Sequence, residues 1–132
     1  MRAHAGTFSV TDGYCSVSAD SGCFMSPNYP YDYGDDMACT IKSNKAAVLA
    51  VVDFQTESCC DRLYVERNGD IYAERYSGTA SDQDIFQNLH GLIVGQGKRI
   101  TFESDGSVTR PGFKICAVEE GADEDEIRPL SP

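Results

Sequence analysis

The stretch AAVLAVVDFQTESCCDRLYVE, residues 46–66, decides the fold. Ala46 to Val52 is an unbroken apolar run, and up to Phe54 only Asp53 interrupts it. That is how a strand buried on both faces reads. Leu63 to Val65 alternates, as a half-buried strand does. Between them, Phe54 to Asp61 carries two carboxylates, Glu57 and Asp61, and the adjacent cysteines Cys59 and Cys60. The segment is expected to be a loop at the edge of a β-sheet with chemistry on it. The chemistry expected there is calcium, Ca2+, a hard cation that takes oxygen ligands.

Working outward, Cys39 to Lys42, Arg99 to Glu103 and Phe113 to Val118 also alternate. Arg62–Glu66 and Asp70–Ala73 flank Asn68-Gly69, a strong hairpin signal. Ile85 to Val94 is ambiguous in period but has strand length and is bounded by Gly95-Gln96-Gly97. Short strands separated by turns, with no amphipathic helix, predict an all-β sandwich. Three regions are expected. Residues 1–14 form an N-terminal arm, in which Thr7 to Val10 has strand composition but no clear partner. Residues 15–118 form the domain. Residues 119–132 form an acidic tail or linker with six acids between Glu119 and Glu126.

The net charge is −10, and without the tail 15 acids still face 10 bases. This argues against nucleic acid, which needs clustered Lys and Arg, and leaves cations and basic protein surfaces as partners. Six cysteines in 132 residues point to disulfides and an oxidising compartment. Zinc would need paired cysteine or histidine knuckles, and His4 and His90 stand apart. No stretch is long and apolar enough for a membrane span, and the first residues have no apolar signal core. No recognised nucleophile, phosphate or zinc motif is present, so the protein is expected not to be an enzyme.

Several motifs occur in order. They are Ser26-Pro27-Asn28-Tyr29-Pro30-x-x-Tyr33, Cys39-x-Ile41, Phe54-x-x-Glu57, Asp61-x-Leu63-x-Val65, Ile100-x-Phe102-x-Ser104-Asp105-x-Ser107, and Gly112-Phe113-Lys114-Ile115. Together, over Cys15 to Val118, they resemble CUB domains, the extracellular β-sandwich modules of complement proteases and many developmental proteins. The resemblance implies a CUB-like antiparallel β-sandwich of jelly-roll type. It also implies a calcium site with Glu57, Asp61 and Asp105 as carboxylate ligands and the Ser107 carbonyl as a further one. Tyr33 would orient one carboxylate by a hydrogen bond. Val108 stands where family members often have an Asn. Three converging carboxylates repel one another unless a cation joins them. In that family a second disulfide usually joins the acidic loop to a cysteine just before a glycine. Here Tyr76-Ser77-Gly78 occupies that place, with Ser77 for the cysteine, and the acidic loop is shorter than usual.

The cysteine framework is therefore not the usual one. The expected pairs are Cys23–Cys39, clipping the Ser-Pro-Asn-Tyr-Pro segment, and Cys15–Cys116. The rival is the family pairing Cys15–Cys39, with Cys23–Cys116. Fifteen pairings exist for six cysteines. Cys59–Cys60 is expected as a vicinal disulfide, with a free pair or bridges elsewhere as alternatives. Adjacent Cα atoms lie about 3.8 Å apart, closer than bridged cysteines usually are. The expected function is an extracellular, secreted, calcium-dependent protein–protein recognition module that receives a Lys or Arg of a protein partner. The alternative is a structural subunit of an extracellular homopolymer or adhesive fibre, in contact through the 1–14 arm and the tail.

Overall fold

The computed structural model describes residues 6–19, 22–58, 60–66, 73–79, 85–106 and 109–118. The strands are β1 (Phe8–Gly13), β2 (Ser16–Val17), β3 (Cys23–Met25), β4 (Ala38–Ser43), β5 (Ala47–Gln55), β6 (Arg62–Glu66), β7 (Ala73–Tyr76), β8 (Ile93–Val94), β9 (Arg99–Glu103) and β10 (Gly112–Val118). They form two five-stranded antiparallel sheets, ordered β1-β4-β9-β6-β7 and β2-β3-β10-β5-β8. The all-β sandwich expected from the alternating segments is what forms.

The alternation places one side chain in two between the sheets. Cys39 and Ile41 of β4, Leu63 and Val65 of β6, Ile100 and Phe102 of β9, and Phe113 and Ile115 of β10 are all buried. Each large apolar side chain so buried stabilises the fold by about 1.5–3 kcal/mol. A continuous aromatic chain crosses the core. Phe8 meets Phe24 (4.9 Å between centroids), Phe24 meets Phe113 (5.9 Å), Phe113 meets Phe102 (5.2 Å), and Phe102 meets Tyr33 (4.9 Å). All four contacts are edge-on, the arrangement ring quadrupoles favour.

β5 lies between β10 and β8, and Ala47 to Val51 are buried without a break, as the apolar run predicts. Its pairing with β10 skips a residue: Val51 faces Ile115, Asp53 faces Lys114, and Val52 is left over. This bulge resets the pleat. Without it Phe54, three residues after Val51, would point away from the core; with it Phe54 is fully buried. The bulge thereby aims the end of β5, and the loop that follows, over the end of the sandwich.

Three expectations need correction. Residues 8–13, assigned to the arm, form β1, which pairs with β4 from Phe8↔Ser43 to Gly13↔Cys39 and buries Phe8 in the core. Ile85 to Val94 is not one strand. Ile85–Leu89 is a single turn of π-helix, with Ile85 and Leu89 buried, and β8 follows. The pairs Cys23–Cys39 and Cys15–Cys116 do not form: Cys15 is bonded to Cys39 and Cys23 to Cys116. Register explains it. β3 sets Cys23 directly opposite Cys116 on β10. Cys39 lies in the other sheet, where β1 sets Gly13 opposite it and so delivers Cys15, with Cα atoms 5.6 Å apart. The expected Cys59–Cys60 pair falls on Cys59, and the acidic tail on residues 119–132, both outside the described residues; Cys60 itself is in a disulfide.

Candidate metal centre

Three loops meet at one end of the sandwich: residues 56–61 between β5 and β6, residues 104–106 after β9, and residues 33–37 before β4. Asp61 lies at their centre with no solvent exposure. Its Oδ2 accepts the Tyr33 hydroxyl at 2.6 Å, and its Oδ1 accepts the Asp105 N–H at 2.8 Å. The Tyr33 hydroxyl accepts the Glu57 N–H at 3.2 Å. One phenol thus orients two of the acidic positions. Burial, then the hydrogen bond to Asp61, pushes the Tyr33 phenol well above its ordinary range.

The loops are braced from below. Thr56 Oγ1 donates to the Asp61 carbonyl (3.1 Å) and accepts the Gly78 N–H (3.0 Å), and the Thr56 N–H donates to the Gly78 carbonyl (2.7 Å). Ser104 Oγ accepts the Met37 N–H (2.9 Å) and donates to the Gly34 carbonyl (2.8 Å). The Asp36 N–H donates to the Asp105 carbonyl at 2.7 Å. Gly112, at φ 90°, lets this end close: a Cβ there would collide with Ser26 Oγ and lie 2.6 Å from Ser26 Cβ. Ser26 Oγ instead accepts the Phe113 N–H at 3.0 Å.

Glu57 faces Asp105. Ligand atoms of Glu57, Asp105 and Cys60 all lie within 4.8 Å of one another. The Cys60 sulfur is in a disulfide, so it is no thiolate, and a hard cation prefers oxygen. Glu57 Oε1 is buried and has no hydrogen-bond partner among the described residues. Desolvation, the Asp105 and Asp61 carboxylates and a hydrogen bond to Asp105 push the Glu57 carboxyl up, while Arg110 opposes. An anionic Glu57 is therefore disfavoured unless a positive charge joins it. The donor set, carboxylates with an orphaned buried oxygen, fits a calcium ion.

The structure brings together Tyr33, Glu57, Asp61 and Asp105. Ser107 and Val108 lie outside the described residues. Asp53 stands apart from this centre: its Oδ2 accepts the Tyr29 hydroxyl at 3.1 Å, across the sheet from Lys114. Burial and Asp53 push the Tyr29 phenol up to about 12. Sequence reasoning missed Thr56, Ser104 and Arg110. Thr56 is a buried hydroxyl next to Glu57, a place in sequence that marks a loop brace; nothing in the sequence marks Arg110.

Residues 12–116 match the CUB domain family, and the chain belongs to it. CUB domains are non-catalytic modules through which extracellular proteins bind other proteins. The chain is similar to a bone morphogenetic protein 1 homolog of Strongylocentrotus purpuratus, 32% identical over 115 residues, which span 79% of this chain and 17% of the relative. It is similar too to bone morphogenetic protein 1 of Xenopus laevis, 30% identical over 115 residues, 79% of this chain and 15% of that one. The chain thus spans less than a fifth of the length of these relatives.

Proposed function

We propose that this chain is an extracellular calcium-binding recognition module, stabilised by its disulfides. Glu57, Asp61 and Asp105 are the carboxylate ligands, and the Ser107 carbonyl is a further one. Tyr33 orients Asp61. Both Asp61 oxygens accept a hydrogen bond, and each retains a second lone pair for a cation. The observation that carries the reading is Glu57 Oε1, buried without a partner among the described residues and beside a second carboxylate. Calcium supplies the missing charge and ties together loops more than forty residues apart in the chain. Carboxylate oxygens that face outward from the centre then accept a Lys or Arg of a protein partner, a charge-assisted contact.

Calorimetric titration of calcium into the wild type and Asp105→Ala tests the reading. The expected result is one binding event in the wild type, lost or weakened at least about tenfold in the variant, since one of few charged ligands is gone. Absence of binding heat in the wild type, with no calcium-induced change in thermal stability, would overturn it.

A further inference from the structure

Among the described residues, basic side chains gather at the end of the sandwich remote from Glu57 and Asp105. Lys42, at the end of β4, Lys45, in the turn before β5, and Lys98 and Arg99, at the start of β9, all lie there. They are four of the eight basic residues in the described part of the chain. Backbone bonds fix the two turns side by side: the Ser43 N–H donates to the Lys98 carbonyl (2.9 Å) and the Gly97 N–H to the Ser43 carbonyl (2.7 Å). Lys42 stands directly opposite Arg99. Like charges facing across an antiparallel pair destabilise it. Glu66 Oε1 offsets Arg99 at 3.3 Å. Lys42 and Lys45 are exposed, and neither makes an ion pair with a described residue.

At the other end, Asp35 and Asp36 are exposed beside the metal centre, Asp36 bonded through its N–H to Asp105. β5 runs from one end to the other, nine residues or about 30 Å. A net charge of −10 disfavours side-by-side contact between copies. End-on approach brings the opposite charges of the described residues nearest.

We propose that the basic end formed by Lys42, Lys45, Lys98 and Arg99 docks the acidic end of a second copy of this chain. Copies then add head to tail. A contact between two different patches at opposite ends does not close at two copies, and it extends into a filament. The proposal rests on the reading above insofar as the metal end receives cationic side chains. It adds the partner and the second surface.

Sedimentation velocity of the full chain with calcium, over a concentration series, tests it with two neutralised variants. Lys42→Gln/Lys45→Gln alters the basic end, and Asp35→Asn/Asp36→Asn alters the acidic end without touching a proposed ligand. The wild type is expected to associate without a limiting size, and to weaken about tenfold or more between about 20 mM and about 500 mM salt. Each variant alone is expected to stay monomeric, and their equimolar mixture to stop at dimers, because each contributes one intact end. A wild type that stays monomeric, or association that the lysine variant leaves intact, overturns the proposal. A wild type that stays monomeric yet binds heparin also overturns it, and assigns the basic end to a sulfated polysaccharide. Calcium calorimetry on both variants separates this failure from failure of the metal reading.

Discussion

A carboxylate removed from water costs several kcal/mol unless each oxygen finds a donor or a cation. Asp61 has one donor on each oxygen, and Tyr33 supplies the shorter bond. Tyr33→Phe keeps the ring in its contact with Phe102 and deletes only the hydroxyl. It should cost about 1–3 kcal/mol of stability, the price of stripping a buried charged acceptor. Calcium affinity should fall about tenfold, as it does when an orienting partner of a metal ligand is lost. Urea denaturation and calorimetry measure the two effects. At this scale the sequence was informative where order along the chain carried the signal: the family motifs put Tyr33, Glu57, Asp61 and Asp105 in one site, and they do converge. It was uninformative about which cysteine meets which. Cys23 and Cys39 are near neighbours in sequence but belong to different sheets, and no local pattern states that.

Among the elements, β5 shows what an apolar run does and does not reveal. Its burial was legible in Ala46 to Val52; the bulge at Val52 was not, because two adjacent valines look alike in any register. β8 covers the edge of β5 only at Ala47 and Val48. Beyond it the edge is closed by the turn after Leu89: Leu49 donates to the Leu92 carbonyl, Gly91 donates to the Leu49 carbonyl, and the Val51 N–H donates to His90 Nδ1 at 2.9 Å. A histidine side chain here stands in for a strand. Ile85 to Val94 reads ambiguously in sequence because Ile85 and Leu89, one helical turn apart, supply apolar residues at a spacing that a short window does not resolve. His90 accepts through Nδ1 only when that nitrogen is unprotonated, and burial holds its pKa below 6.5. Below about pH 6.5 the unfolded chain therefore takes up a proton that the folded chain refuses. Stability from this contact is complete above that pH and declines as pH falls through it. His90→Asn, which retains an acceptor but does not titrate, should flatten the fall in urea midpoint between about pH 7.5 and about pH 5 relative to the wild type.

For the whole molecule, the two ends of the sandwich are unlike in chemistry and in what holds them. The acidic end brings together carboxylates that repel one another, and on the proposed reading a cation joins them. At a calcium concentration a hundred times Kd, binding adds about 2.7 kcal/mol to folding. Chelation should lower Tm by about 10 °C, read by calorimetric or fluorescence melting. The sequence made the acid surplus plain but not its segregation, since Lys42, Lys45, Lys98 and Arg99 become neighbours only through the pairing of β4 with β9. The clamp between Thr56 and Gly78 carries a last consequence. It joins the acidic loop to the segment containing Ser77, where the wider family uses a covalent staple, through two hydrogen bonds and the neighbouring Gln55–Thr79 bridge. Hydrogen bonds break and re-form without a reductant, whereas Cys15–Cys39 and Cys23–Cys116 persist through such openings. The join between the loop and the Gly78 segment can therefore open by hydrogen-bond breakage alone. Amide deuteration at Thr56 and Gly78 would then proceed by this local route, at a rate that calcium slows.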